Sequence, residues 1–343
     1  MIYFQCDYAE GADAHILSRL VETNMEQSEG YGLDKHSIRA KELIKKRIGR
    51  KDADVHFLVG GTETNRIAIS AALRPYQGVL SPDTGHIAAH ETGAIESTGH
   101  KVLALPNTDG KISAPQVREY VMEHYESPTA EHTVQPGMVY ISFPTESGTL
   151  YSKEELKALR DVTKEHGLYL YIDGARLGYA LASLKCDVTI EEIADLSDMF
   201  YIGGTKCGAL FGEALVILND NLKKDFRYMI KQNGALLAKG RMLGIQFETL
   251  FEDDRYFKIT ESAVEKALRI RSAFEKKGIE LWGTSYTNQQ FPILTDEQIR
   301  KLEKDFVFEV WGKAGEKTIV RFCTSWATEE ENLKVLLTAI ENL

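Results

Sequence analysis

The sequence predicts an α/β fold, with a large domain built on a mostly parallel sheet and a smaller α/β domain at the C-terminal end. Short apolar runs alternate with amphipathic segments, and the clearest helix ends directly before the next apolar run. This strand–helix–strand order places helices on both faces of a largely parallel sheet. The 343 residues are also enough for about two domains.

Six apolar runs of the large domain are predicted strands: residues 55–59, 101–105, 138–143, 168–172, 199–202 and 214–218. A helix is predicted over 65–73, after Gly60-Gly61. A second helix is predicted over 152–166, where Ser152 and Glu155 form a capping box and Gly167 provides a stop signal.

The last hundred or so residues have a different pattern, with a long helix over 260–277 and strands over 290–294, 306–310 and 317–323. Thr328 and Glu331 predict a second capping box before a closing helix. The FEDDRY segment that begins at residue 251 interrupts the apolar pattern. We therefore expect domains over residues 1–250 and 251–343.

The composition narrows the class of partner. The chain carries 41 Lys and Arg against 51 Asp and Glu, a net charge of −10, which argues against nucleic acid or an anionic membrane as partner. Its four cysteines are scattered and suggest no disulfide framework. With neither a signal-peptide pattern nor a spanning apolar run, we expect a cytoplasmic protein, and no metal site is predicted.

Two polar residues stand 33 positions apart, and each follows a predicted strand. Asp173 follows the run at 168–172, and Lys206 lies in the glycine-rich segment after 199–202. Ligands of open parallel sheets bind beyond the carboxyl ends of the strands, so this acid and this amine are expected to meet at one edge. The pair suits pyridoxal 5'-phosphate, whose aldehyde forms a Schiff base with a lysine and whose ring nitrogen is kept protonated by a carboxylate.

A phosphate site is predicted at Gly60-Gly61-Thr62, where backbone N–H groups at a helix start can bind an anion. The GGTETN run lacks the GxGxxG and GxxxxGK[ST] spacings, which disfavours nucleotide-binding folds of those types. Taken singly, each feature is ordinary, because an Asp after a strand is often a cap and a Lys in a glycine-rich loop is usually solvated. Their occurrence together, in this order, supports the prediction.

Seven segments carry a resemblance over nearly the whole chain: GYGLDKHS (30–37), GGTETN (60–65), GHIAAHETGA (85–94), PTESGTLYS (144–152), DGARLGYA (173–180), GGTKCGALFGEALV (203–216) and VRFCTSW (320–326). With these motifs the sequence resembles the pyridoxal-phosphate-dependent threonine aldolase/β-eliminating lyase family. That family has fold type I, the aspartate-aminotransferase-like fold. The most similar branch is that of the low-specificity L-threonine aldolases.

The resemblance implies roles around the cofactor. Lys206 falls on the Schiff-base lysine, Asp173 on the partner of the ring nitrogen and His86 on the histidine that stacks on the ring. The other implied cofactor-binding residues are Gly61, Thr62, Arg176, Thr205 and Arg241.

The resemblance also implies substrate contacts and an oligomer. Arg321 falls on the strand arginine that binds the substrate α-carboxylate, with Arg176 nearby. Tyr31 and Arg241 resemble residues that reach a neighbouring subunit's site. A homodimer or homotetramer with active sites at the subunit interface is therefore implied.

Two positions depart from the commonest family pattern. Cys6 stands where many members have a serine that helps to hold the carboxylate, and a thiol is a weaker hydrogen-bond donor. Glu146 stands where another branch has a histidine, and a carboxylate there is a candidate acid–base group if its pKa is tuned.

The implied activity is retro-aldol cleavage of L-threonine, L-allo-threonine or a related β-hydroxy-α-amino acid to glycine and an aldehyde. The implied catalytic residues are Lys206, Asp173, His86 and Glu146. The alternatives that stay open are β-elimination, transamination or racemisation on the same scaffold, and a cofactor-binding protein without turnover.

Overall fold

The computed structural model describes all 343 residues. Its strands are β1 Ile2–Tyr3, β2 Asp54–Leu58, β3 Gln77–Pro82, β4 Val102–Leu105, β5 Gln135–Ser142, β6 Tyr169–Asp173, β7 Met199–Gly203, β8 Glu213–Ile217, β9 Gln289–Gln290, β10 Ile293–Leu294, β11 Phe306–Val307, β12 Glu309–Ala314 and β13 Lys317–Cys323. Its α-helices are α1 Ala14–Glu22, α2 Lys35–Arg47, α3 Gly61–Ala72, α4 His86–Ala89, α5 Ala114–Glu126, α6 Lys153–Glu165, α7 Leu177–Leu181, α8 Ile190–Leu196, α9 Asp220–Lys223, α10 Phe226–Gln232, α11 Arg241–Phe251, α12 Arg255–Lys276, α13 Asp296–Leu302 and α14 Glu330–Glu341.

The central sheet has seven strands in the order β2-β8-β7-β6-β5-β3-β4. All neighbouring pairs from β7 to β4 are parallel, which confirms the predicted mostly parallel sheet. Strand β8 runs antiparallel to both its neighbours. The connection from β7 to β8, residues 204–212, contains no helix and is too short for a parallel crossover, so the chain turns back at this edge.

The six predicted strands of the large domain are confirmed, each to within three residues at either end. Strand β3 was not predicted, because its sequence QGVLSP has only two consecutive aliphatic residues and gains its burial from β4 and β5. The helix predicted over 65–73 corresponds to α3, which begins at Gly61, four residues earlier than predicted. The capping box of α6 is confirmed, since the Glu155 N–H donates to Ser152 Oγ at 3.1 Å and the Ser152 N–H to Glu155 Oε2 at 2.7 Å.

Of the predicted C-terminal strands, 317–323 is confirmed with its bounds as β13, whereas 306–310 is divided into β11 and β12, and β12 runs four residues beyond the predicted end. Residues 290–294 form two short strands interrupted before Ile293 by Phe291-Pro292, because proline lacks the N–H that a ladder needs. The capping box at Thr328 and Glu331 is wrong. Glu329 is the N-cap of α14, and Thr328 Oγ1 accepts from the Ser325 N–H at 2.8 Å, so the helix begins one residue later than the box requires.

The N-terminal segment packs against the C-terminal strands. Strand β1 pairs in parallel with β11, and Phe4 contacts Phe306 and Phe322 in a separate apolar core. Helix α12 spans both cores, with Tyr256 in the main one and Phe274 in the C-terminal one. The division into 1–250 and 251–343 stays a prediction.

No helix of this fold combines the length and the apolar character that crossing a bilayer requires.

Candidate active site

Lys206 and Asp173 lie at the carboxyl ends of two neighbouring parallel strands. Asp173 is the last residue of β6, and Lys206 is the third residue after β7, which pairs with β6. Both line one cavity of about 520 Å³. The topology therefore brings the predicted acid and amine to the same edge of the sheet.

The Lys206 amine has no hydrogen-bond partner within the chain, and its environment favours the neutral form. Burial, reinforced by the positive charge of Arg176, lowers the pKa of Lys206 below its ordinary value, although Asp7, Asp173 and Glu213 oppose this. A neutral amine is the form that attacks a carbonyl carbon.

Asp173 is buried and held by three donors. The Tyr140 hydroxyl and the Asn65 amide donate to its Oδ2 at 2.6 and 3.0 Å, and the Ala175 N–H donates to its Oδ1 at 3.0 Å. The same Asn65 amide donates to Glu91 Oε1 at 2.8 Å. These contacts fix the orientation of the carboxylate at the strand end, as a preorganised site requires.

His86 and Glu146 are joined through the backbone. His86 begins α4, and its N–H donates to Glu146 Oε1 at 2.9 Å, while its ring Nδ1 lies 2.8 Å from Glu91 Oε1. Ser142 also donates to Glu146 Oε1, at 2.6 Å, whereas Glu146 Oε2 is buried without a partner. Burial raises the pKa of Glu146 above its ordinary value although the Ser142 hydrogen bond opposes this, so Glu146 binds a proton more readily than an ordinary glutamate.

Arg176 is held by Asp7. Its Nε and one terminal nitrogen donate to the two Asp7 oxygens at 2.7 and 3.0 Å, and Asn288 donates to Asp7 Oδ2 at 2.9 Å. This bidentate pair fixes the plane of the guanidinium at the cavity wall.

Arg321 is a buried cation that lines the same cavity. It donates to Gln289 Oε1 at 2.9 Å and to the Gln5 carbonyl at 3.1 Å, and its guanidinium carbon lies 5.2 Å from the centre of the Trp311 ring. Glu309, its cross-strand neighbour on β12, forms an ion pair with it. A planar, charged group fixed in this way can bind a carboxylate at two points.

The predicted phosphate turn lies at the start of α3, whose first N–H groups have no helical acceptor. A Cβ at Gly61 would lie 3.1 Å from the Tyr201 hydroxyl, so a glycine keeps this end of the cavity open. Thr205 and Glu213 line the same cavity, and their hydroxyl and carboxylate are hydrogen-bonded at 2.8 Å.

Most of the residues predicted from sequence line this one cavity: Gly61, Thr62, His86, Glu146, Asp173, Arg176, Thr205, Lys206 and Arg321. Three do not line it. Cys6 is half-buried beside it, between Gln5 and Asp7. Tyr31 lines a separate, small cavity, and the Arg241 guanidinium donates to the backbone carbonyls of Asn24 and Glu26. A reach of Tyr31 or Arg241 into a neighbouring subunit's site stays a prediction.

Sequence reasoning missed several groups of the site. Tyr8, His90, Phe211, Glu213, Glu309 and Trp311 also line the cavity, and Asp7, Asn65, Glu91 and Tyr140 are hydrogen-bonded to predicted site residues. Asn65, Glu91 and Glu213 stand inside the motif segments GGTETN, GHIAAHETGA and GGTKCGALFGEALV. Glu309 and Trp311 had no such signal, because they reach the site only through pairing of β12 with β13.

The residues present fit pyridoxal phosphate. The open turn at Gly61 and the unpartnered Lys206 amine line a cavity that also holds an oriented aspartate, Asp173. Fold and site thus define fold type I of the pyridoxal-phosphate-dependent enzymes.

The sequence profile of the beta-eliminating lyases matches residues 7–297. The low specificity L-threonine aldolase of Pseudomonas aeruginosa is 30% identical, over 97% of this chain and 95% of the relative. A solved structure of the Leishmania major threonine aldolase is 46% identical and covers 100% of this chain and 99% of its own, with a TM-score of 0.97. A Clostridium acetobutylicum histidinol-phosphate aminotransferase (14% identity, 100% of both chains, TM-score 0.74) shares the fold. The chain belongs to the beta-eliminating lyase family.

Proposed function

We propose that this chain cleaves L-threonine, L-allo-threonine and related β-hydroxy-α-amino acids to glycine and an aldehyde. The observation that carries the proposal is the convergence of Lys206, Asp173 and Arg321 on one cavity. The threonine aldolase relatives support the choice of substrate.

Lys206 would hold pyridoxal phosphate covalently, Asp173 would hold its ring nitrogen and the Gly61-Thr62 turn its phosphate. The bound cofactor supplies an electron sink for the bond that breaks at the substrate Cα. The hydrogen bonds from Tyr140, Asn65 and Ala175 keep Asp173 in place for this role.

Arg321 binds the α-carboxylate of the substrate, and Arg176 lines the same cavity. Fixing the carboxylate fixes rotation about the Cα–N bond and so selects which Cα bond is aligned for cleavage. Trp311 stacks on Arg321 and Gln289 accepts from it, so the guanidinium keeps its direction while the substrate binds.

The proton of the β-hydroxyl must leave as the Cα–Cβ bond breaks. Glu146 and His86 are the acid–base groups we assign to this step, and they are joined by the hydrogen bond from the His86 N–H. Burial raises the pKa of Glu146, which makes its carboxylate a stronger base than an ordinary glutamate. The proton can return from the same pair to Cα before glycine leaves.

The active unit is a homodimer or homotetramer, in which Tyr31 and Arg241 contribute to a neighbouring subunit's site. Tyr31 supports this because it is exposed, in a left-handed backbone conformation, and turned away from its own chain's active-site cavity.

The test is product identity from threonine with purified protein supplied with pyridoxal phosphate. Glycine and acetaldehyde are expected, together with a visible absorbance band that Lys206→Ala abolishes. Lys239→Ala, a change in a lysine outside the cavity, is the control and should keep band and activity. Release of 2-oxobutanoate and ammonia instead would identify β-elimination. Failure of the wild-type protein to acquire the band would contradict the cofactor assignment.

A further inference from the structure

Glu213 is a buried carboxylate in the cavity that the mechanism above leaves unused. It is the first residue of β8 and pairs with Leu58 of β2, two residues before the Gly60-Gly61-Thr62 turn. Its Oε2 accepts from the Gly204 N–H at 2.9 Å and its Oε1 from the Thr205 hydroxyl at 2.8 Å. A negative charge here would stand beside the site proposed for a phosphate dianion.

Within the same chain, no cation that lines the cavity is free to offset that repulsion, and the Arg241 guanidinium donates to the carbonyls of Asn24 and Glu26. Of the three lysine and arginine side chains that line the cavity, Arg176 is paired with Asp7 and Arg321 with Glu309, and Lys206 is assigned to the cofactor aldehyde. The first turn of α3 contains an acid, Glu63, and no basic residue. An anion at this turn and an ionised Glu213 would therefore destabilise each other.

Thr205 is hydrogen-bonded to Glu213 and lines the cavity of the proposed phosphate site, and its hydroxyl has only one proton to donate. Its Oγ1 already accepts from the Gly212 N–H at 3.0 Å, and while Glu213 is ionised its only O–H donates to Glu213. A hydroxyl has one donor and two acceptor positions. If Glu213 carries the proton, it donates to the second acceptor position of Thr205 Oγ1, and the Thr205 O–H becomes free to donate elsewhere.

We propose that Glu213 is a positioning residue that takes up one proton from solvent when a phosphate-bearing ligand binds, reversing its hydrogen bond to Thr205 so that the Thr205 hydroxyl donates to the phosphate. This inference rests on the proposed function, because the ligand is the cofactor of that same site.

Burial and the charged groups around Glu213 allow this carboxylate to gain or lose a proton at physiological pH. Burial raises its pKa to about 7, against the hydrogen bonds from Thr205 and Gly204 and the positive charge of Lys206, while the negative charge of Asp173 adds to the rise. Four other titratable side chains lie close enough for the charge of Glu213 to affect them. Burial raises the pKa of each, so they stay neutral: Tyr171, Tyr201, Tyr256 and Cys207.

The affinity for a phosphate-bearing ligand is expected to fall as pH rises above about 7. Below about pH 7 Glu213 already carries its proton in the free protein, so binding needs no uptake. Above that value each binding event must take up a proton, and phosphate-specific affinity falls by up to about tenfold per pH unit.

The experiment titrates the full chain with pyridoxal 5'-phosphate and with pyridoxal, followed by absorbance between pH 6.5 and 8.5. The ratio of the two dissociation constants isolates the phosphate, because both ligands react with Lys206. In the wild-type protein the preference for the phosphorylated ligand should fall above pH 7. Glu213→Gln, which mimics the protonated acid, should keep a high preference that is flat with pH.

Two further variants separate this role from general effects. Thr205→Val should lose most of the preference for the phosphorylated ligand at every pH, since the donor is gone. Glu63→Gln removes a charge from the first turn of α3 and leaves the hydrogen bond between Thr205 and Glu213 intact. In this variant the preference for the phosphorylated ligand should fall with pH as it does in the wild type. If the preference for the phosphorylated ligand varied with pH equally in the wild type and in Glu213→Gln, the inference would be overturned and the proposed function would stand. Absence of any cofactor band in the wild type would overturn both.

Discussion

Asp7 and Arg176, 169 positions apart in the sequence, form a bidentate ion pair at the wall of the active-site cavity. The Asp7 side chain is fully buried and the Arg176 side chain is 13% exposed. The pair ties the N-terminal segment, which also pairs with β11, to the carboxyl end of β6. The integrity of the active site therefore depends on how the two ends of the chain meet.

Asp7→Asn is expected to lower the free energy of unfolding by about 3–5 kcal/mol, because it leaves the Arg176 charge buried without its partner. Burial opposes ionisation of Asp7, but the charges of Arg176 and Lys206 and the hydrogen bonds of Arg176 and Asn288 prevail, so its pKa lies below the ordinary 3.8. Its contribution is thus fully present above pH 3.8 and is lost as pH falls further. Urea unfolding from pH 7 to pH 3 measures this.

The control is Glu10→Gln, an exposed carboxylate of the same segment, which should change stability by less than about 0.5 kcal/mol. If the difference in the free energy of unfolding between wild type and Asp7→Asn stayed constant down to pH 3, the ion pair would not be the source of that difference.

Asp173→Asn should lose most activity and retain some cofactor. The amide cannot hold a proton on the ring nitrogen as a carboxylate does, and the loss of one such electrostatic contact costs about 100- to 1000-fold in turnover. Turnover and the visible band are measured together. Asp187→Asn, a change outside the cavity, is the control. Near-normal turnover in Asp173→Asn would remove the residue from its proposed role.

Arg321→Lys should raise KM for threonine by about 10- to 100-fold, with a smaller change in kcat, since an ammonium group cannot make the two-point contact of a guanidinium. Arg269→Lys is the matched control, because Arg269 makes a bidentate pair with Glu330 on the surface. Steady-state kinetics measure both constants. An unchanged KM in Arg321→Lys would show that the substrate carboxylate binds elsewhere.

Cys6→Ser should lower KM by roughly 2- to 10-fold, because a hydroxyl is a better donor to a carboxylate than a thiol is. The carbonyl of the preceding residue, Gln5, accepts from Arg321, which puts Cys6 beside the proposed carboxylate site. Cys186→Ser alters a half-buried thiol outside the cavity and should leave KM unchanged. An equal KM in wild type and Cys6→Ser would exclude this contact.

Gly174→Ala should destabilise the fold by about 3 kcal/mol, since an added Cβ would lie 1.9 Å from the carbonyl oxygen of Tyr201 and must push apart the ends of β6 and β7. Gly312→Ala is the control, because its nearest neighbour is the end of the Ile319 side chain at 3.8 Å. Equal unfolding midpoints for the two variants would contradict the tight contact at Gly174.

The local pattern of the sequence predicted the strands of the central sheet that form continuous apolar runs, and the α6 capping box. It did not predict β3, whose sequence QGVLSP is only weakly apolar and is buried because the strand lies between β4 and β5. It also failed at Thr328, where a motif of the correct spacing lies one residue away from the helix start, because Thr328 instead caps the turn at Ser325.

By itself, the sequence determined the alternation of strands and helices and the placing of Lys206 and Asp173 after strands of a parallel sheet, because period and order along the chain encode both. Only the tertiary structure decided that Asp7 pairs with Arg176, that Glu309 and Trp311 contact Arg321, and that Thr205 donates a hydrogen bond to Glu213. These contacts join side chains on different strands and loops, and their charges and burial exist only once the chain ends and the sheet edge have come together.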